Sequence, residues 1–216
     1  MLIEHDGARP RVDPTAWVAP TAVLSGDVTV GPGSRVLHGA VLTAEFGAEL
    51  VLGAGCVVME QAVLRASGRF PLHVGDRVLV GPHAYLTGCT VGSGSFLATG
   101  SMLFNGASLG PGCRVSLQGV VHVGCELPAG THVPIAYIAV GRPARILPPD
   151  DSPSAHDALA GVDGGFFNYV FGVEQRGRAM SDVAEEAIRK YARALGAHQG
   201  DTVVDGSGPA DQAPPR

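Results

Sequence analysis

Two histidines, His83 and His122, carry the side chain most often used as a general base, able to take a proton from an amine or hydroxyl acceptor. Arg65 offers a planar fork of N–H donors that can grip a carboxylate at two points. His38 and His73 stand beside two interruptions of the repeat described below, where each could touch a bound ligand. The four cysteines, Cys56, Cys89, Cys113 and Cys125, show neither a CxxC pair nor zinc-finger spacing, so they read as free thiols.

The element that positions these groups is a repeat of period six. Aliphatic residues recur at Val18, Leu24, Val30, Val36 and Leu42, resume at Leu52, Val58 and Leu64, and run on from Val74 to Leu127, with one five-residue step from Leu86 to Val91. Four residues after each aliphatic stands a small residue or a valine, among them Ala22, Ser34, Ala40, Cys56, Ala62, Ala84, Ser101, Cys113 and Cys125. Large and small side chains alternating within each unit imply an interior too narrow for two large ones. That suits a triangular coil of three short strands, each coil burying its apolar edge only by stacking on the next. Cys56, Cys113 and Cys125 are then core filler, and Cys89 a packed turn residue. Glycine directly after several of the aliphatics fits tight corners. Arg65, Thr87, Phe104 and His122 each follow an aliphatic and should form one outward column, with His122 two rungs beyond Thr87.

The period breaks at 43–51 and 66–73, which read as loops leaving the coil, where function often sits. The repeat fades after Leu127. The sequence predicts a polar linker at 150–156, an apolar patch at 166–171 and a helix over 181–195. Ser181 is its expected N-cap, Ala184, Ile188, Tyr191 and Leu195 its buried face, and Gly196 its stop. The organisation expected is a solenoid at 1–148, a linker and helical segment at 149–196, and a disordered tail at 197–216.

Composition narrows the partners. With 31 glycines the chain still has 45% apolar residues, a balance that fits many short strands rather than disorder. A formal net charge of −5 gives no basic field for nucleic acid or anionic lipid. Residues 1–11 hold no apolar run of a secretory signal, and no stretch approaches the roughly 20 apolar residues of a membrane span. A cytoplasmic protein with no nucleic-acid or membrane partner is expected.

Three segments resemble the γ-class carbonic-anhydrase-like branch of the hexapeptide-repeat proteins. WVAPTAVLSGDVTV at 17–30 is similar to that family's opening coil. VGDRVLVGPHAYLTGCTVG at 74–92 is similar to its central signature VGHxAxLHGCxIG, and VGRPARI at 140–146 to its closing VGxPAKxI. The resemblance covers roughly 10–147. It implies a mainly β fold, a left-handed parallel β-helix with a C-terminal α-helix, the handedness coming from the family since ordinary crossovers favour the right hand. It also implies a homotrimer with sites at subunit interfaces.

Active members hold zinc, or sometimes iron or cobalt, through three histidines. The matching positions here are Arg65, Pro82 and Thr87. The family's early-loop arginine and aspartate correspond to Thr43 and Glu45, and its glutamine and second aspartate to Met59 and Glu60. Arginine has no lone pair to offer and places a cation where the metal would sit, proline has no donor atom, and threonine is a poor zinc ligand. No cofactor and no zinc are therefore expected. The cleft is expected to hold Glu45, Glu60, Arg65, Pro82, His83, Tyr85 and Thr87, with Arg65 paired to Glu60 or Glu45 and a small or anionic ligand at the subunit interface. His83, one residue past a ligand position, is the candidate catalytic group.

The function this resemblance implies is a binding or assembly protein, or an enzyme of altered chemistry, without CO2 hydratase activity. The alternative is a hexapeptide acyltransferase using acetyl-CoA, with Arg142 and Arg145 meeting the cofactor's phosphate. An active carbonic anhydrase with substitute ligands is the third reading.

Overall fold

The structure, a computed structural model, describes residues 1–149 and 165–204. The expected linker at 150–156 and the tail from 205 lie outside the described residues. Short strands build three sheets, one of ten strands and two of seven, and apart from the antiparallel strand at each end of the ten-stranded sheet the neighbours in space come from successive coils rather than successive strands. The fold is the left-handed β-helix that the family resemblance implied, built of the triangular coils that the six-residue period implied.

Its interior follows the two registers read from sequence. Leu24, Leu42, Leu64, Leu86, Leu103 and Val121 stack directly on one another in the ten-stranded sheet, and all are fully buried. Alternation within a strand turns the next residue outward. Arg65 therefore pairs with Thr43 on one side and Thr87 on the other, and the outward column runs on to Phe104 and His122, whose rings are 6.3 Å apart.

The two interruptions are not loops. At both, the chain stays in the sheet and the strand lengthens. Val41–Glu45 and Val63–Ser67 each have five residues and pair along their whole length before a tight turn leads to Leu50–Leu52 and Leu72–Val74. The extra residues of one coil find hydrogen-bond partners in the extra residues of the next, which two free loops would lack. The lengthened edge carries Glu45 and Ser67 past the ordinary corner. The five-residue step lies at Gly88, which takes φ +48°; a Cβ there would lie 2.4 Å from Cβ of Phe70.

Two helices follow the solenoid: α1 (Gly165–Phe171) and α2 (Met180–Ala194). They share a small core of Val173, Val183 and Ala187 flanked by Phe167 and Phe171. The buried stripe of α2 is thus Val183 and Ala187, one residue off the expected face, and Ile188 is 69% exposed. Ser181 is not the N-cap. The helix starts a residue earlier, after extended Ala179, whose carbonyl accepts from the amides of Asp182 and Val183, and the Ser181 hydroxyl turns to Asp182 at 3.2 Å. The α-helix ends at Ala194 with Leu195 as its C-cap, just before the expected stop at Gly196, and the chain runs on as a 3-10 turn over Leu195–Gly200. Residues 202–204, expected to be disordered, form the strand Thr202–Val204 antiparallel to Leu2–Glu4. Among the described residues no helix is long and apolar enough to cross a membrane.

Candidate functional site

The two C-terminal helices lie over the outward face of the ten-stranded sheet of their own chain. Between them is a cleft of about 910 Å³, lined on the solenoid side by Arg65, Arg69, Tyr85, Thr87, Phe104 and Asn105 and on the helical side by Tyr169, Lys190 and Tyr191. Its charges are positive. Arg65, half-buried, is bonded through Nη2 to the Oε2 carboxylate oxygen of Glu45, which is only 5% exposed, and its guanidinium lies 5.2 Å from the Tyr191 ring centre. Burial works against the Arg65 charge, but the hydrogen bond and charge of Glu45 more than offset it and hold the guanidinium above its ordinary pKa. Burial also pushes the Tyr191 phenol up, against the pull of Arg65.

Arg69 and Lys190 are held differently. Arg69 donates to the Tyr169 carbonyl at 2.6 Å and sits 4.6 Å from the Phe70 ring centre. Lys190 donates to the Phe171 carbonyl at 2.7 Å. Among the described residues neither has a carboxylate partner, so both cations remain open to an anion. Thr87, almost buried, donates its hydroxyl to Asn105 Oδ1 at 3.4 Å. The cleft therefore combines cations, phenols and aromatic walls, and among the described residues no histidine lines it.

Of the residues chosen from sequence, the structure brings together Glu45, Arg65, Tyr85 and Thr87. Glu60 is not Arg65's partner: it lies in the turn before Val63–Ser67, where its carbonyl accepts from the His83 amide at 3.1 Å. Pro82 lines a different groove with Met59, Leu79, Phe96, Leu117 and Ile135, on the face of one seven-stranded sheet. His83 is exposed at a corner with φ +55°. Within one chain, neither Pro82 nor His83 reaches Arg65's cleft. Arg142 is tied to the Gly124 carbonyl at 2.6 Å and to Glu126 at 3.2 Å at the far end of the solenoid. Arg145 is exposed on the closing strand. All four cysteines are buried and free; burial raises their thiols, Cys89 to about 12 and Cys125 to about 11, so none is poised as a thiolate.

Arg69, Tyr169, Lys190 and Tyr191 were not singled out from sequence as site residues, Tyr191 being read only as part of the helix's buried face. Arg69 falls inside the second interruption, which was a usable signal. The other three approach only because α1 and α2 fold back, and no repeat announces that.

His122 stands two rungs from Thr87, as the register required, with Nδ1 buried and unpartnered; desolvation lowers its pKa below 6.5. The unfolded chain then binds the proton more readily than the folded one. Stability should accordingly fall as pH drops below about 6.5 and level off once pH passes the lowered folded value. Urea midpoints of the wild type and His122→Gln should converge at acid pH if His122→Gln removes that slope; parallel curves would show that His122 contributes nothing to it.

No protein-family model matches the chain. It is 33% identical over 144 residues to γ carbonic anhydrase 1, mitochondrial, of Arabidopsis thaliana, covering 64% of this chain and 50% of that protein. The chain spans about half the length of the first two plant relatives it matches. It is 32% identical over 142 residues to the carnitine operon protein CaiE of Escherichia coli K12, covering 66% of this chain and 69% of that one. The chain belongs to the γ-carbonic-anhydrase-like family of hexapeptide-repeat proteins. A hexapeptide transferase family protein from Anaplasma phagocytophilum aligns at a TM-score of 0.48 and 22% identity over 90% of this chain and 96% of that one, too loosely to bear on function.

Family membership makes the donor set of Arg65, Pro82 and Thr87, which the resemblance matched to the family's metal positions, a chemical question. A tetrahedral catalytic zinc takes three protein ligands with lone pairs and leaves one position open. Arg65 supplies only donors and is already engaged by Glu45; Thr87 offers only a neutral hydroxyl, a poor zinc ligand; Pro82 has no side-chain heteroatom. These three residues do not fit such an ion.

Proposed function

We propose that this γ-carbonic-anhydrase-like protein is a binding protein without CO2 hydratase activity, whose cleft takes a small organic anion with an apolar or aromatic body. The observation that carries this reading is the Arg65–Glu45 ion pair at the family's metal position. A guanidinium cannot deprotonate to ligate a cation, and Arg69 and Lys190 beside it favour a carboxylate or phosphate. Tyr85, Phe104, Tyr169 and Tyr191 supply the apolar walls. Among the described residues the cleft is lined by no histidine, the usual general base of an acyl transfer within one protomer.

The protein acts as a homotrimer in this reading. Trp17, Phe96, Leu117 and Ile135 are between 44% and 61% exposed, unusual for large apolar side chains, and the last three line the groove holding Pro82. Another copy seated there would bring Pro82 and His83 toward a neighbouring cleft.

The test has four arms. CO2 hydration by the purified chain, with zinc added, should stay at the uncatalysed rate; a rate above it that falls on changing Arg65 or Thr87 would overturn the proposal. Calorimetric titration with benzoate should show binding that weakens about 10-fold or more in Arg69→Ala, the worth of one charge-assisted hydrogen bond. Acetyl-CoA should leave the melting temperature unchanged; a shift that His83→Ala abolishes would favour the acyltransferase reading instead. Light scattering should give three chains per particle.

A further inference from the structure

The first strand and the last described strand meet at a cluster outside the cleft. Antiparallel pairing sets Glu4 against Thr202, which carries His5 and Asp201, one step beyond, to the same place. His198 precedes Asp201 by three residues in the 3-10 turn, a spacing that brings side chains onto one side. The Asp201 carboxylate spans both imidazoles: Oδ1 lies 2.5 Å from Nδ1 of His5 and Oδ2 2.9 Å from Nδ1 of His198. The two rings stack with centres 4.4 Å apart. His5 is 2% exposed, and its Nε2 is buried with no hydrogen-bond partner. A second carboxylate stands close by, with Glu45 Oε1 3.8 Å from Nε2 of His198.

We infer that His5, His198 and Asp201 form a binding site for a divalent transition-metal ion of the zinc class, built where the C-terminal segment closes on the first coil. One ligand atom from each residue lies within 4.8 Å of those of the other two. Ligands about 2.0–2.2 Å from a tetrahedral ion are roughly 3.4 Å apart, so displacements of about an ångström admit the ion. Two imidazoles and one carboxylate are a donor set suited to zinc, cobalt or nickel rather than to calcium or magnesium. The ion would displace the protons that Asp201 shares with the imidazoles, so binding releases protons to solvent. The site is separate from the family's metal position at Arg65 and Thr87. The inference is independent of the proposed ligand of the cleft.

Equilibrium dialysis of the full chain against zinc chloride tests it. About one zinc per chain should be retained, and Asp201→Asn and His198→Gln should each weaken retention about 100-fold. His83→Ala and His122→Gln should leave it unchanged. Cobalt in place of zinc should give the visible bands of a four- or five-coordinate ion without the thiolate charge-transfer band that the buried cysteines would add. Near-ultraviolet circular dichroism of Asp201→Asn shows whether the fold is intact. Retention of no zinc, retention unaffected by both substitutions, or a thiolate band would each overturn the inference, the first leaving the cluster as a hydrogen-bonded clasp only. Because CO2 hydration is measured on the same protein, a bound zinc with hydration at background separates this site from the cleft.

Discussion

Replacing Arg65 with alanine is expected to lower folding stability by about 3–5 kcal/mol, the range for breaking a buried ion pair by removing one partner. The loss arises less from the missing attraction than from what remains. Glu45 is 5% exposed and would keep a carboxylate with no cation against it. The nearest replacement is His198, whose Nε2 is 3.8 Å from Glu45 Oε1 and which helps only when protonated. The double substitution Arg65→Ala with Glu45→Ala should recover much of the loss, since neither charge is then orphaned. Denaturant unfolding of the four proteins measures all of this. A single-substitution loss under about 1 kcal/mol would mean that water reaches Glu45 and that the pair behaves as a surface salt bridge. Arg65→Ala should also loosen α2, because the guanidinium faces Tyr191 at 5.2 Å.

A second large effect is expected from one methyl group. Gly31, Gly53, Gly75, Gly92 and Gly110 follow the stacked residues Val30, Leu52, Val74, Val91 and Leu109 and so form a column down one corner. A Cβ on Gly92 would lie 2.4 Å from the Pro111 nitrogen and 2.5 Å from the Gly110 carbonyl carbon. Both are backbone atoms, and neither can move without shifting the next coil. Gly92→Ala should cost about 3 kcal/mol or more, the upper end of overpacking. Gly112 is the control. It takes φ +68° but nothing lies within 4 Å of its Cβ, so Gly112→Ala should cost only the strain of a left-handed residue, about 1–2 kcal/mol. Equal losses at the two positions would show that conformation rather than coil-to-coil contact selects glycine at this corner.

The contrast between these positions also explains what could be read in advance. The period of six located most inward aliphatics, because each coil repeats the same packing problem as the last, but it missed Leu50 and Leu72 inside the two interruptions and Val133 beyond the point where the repeat was read to fade. It placed Arg65 beside Thr87 for the same reason, and the structure pairs them. The interruptions were visible, but their outcome was not: lengthened strands and free loops leave the same gap in an aliphatic pattern, and only the pairing of Ala66 with Ala44 and Ser67 with Glu45 separates them. The choice of Glu45 over Glu60 followed from that lengthening, since Glu45 ends one extended strand. The helical segment was least legible. An amphipathic face shows that something is covered but not which residue leads, and here Val183 and Ala187 took the place expected of Ala184 and Ile188. The meeting of His5 with Asp201, 196 residues apart, depends on a strand pairing that no local pattern encodes.

That pairing has a consequence for how copies of the chain can associate. A stack of parallel rungs presents an open template at each end, and identical molecules could in principle join there into a filament. In the ten-stranded sheet both ends are occupied by strands of reversed direction, Thr202–Val204 at one and Arg145–Leu147 at the other. A newcomer's first coil meets the wrong polarity at either terminus of this sheet. Growth along the axis as a continued parallel ladder, coil upon identical coil, is interrupted at both termini of this sheet.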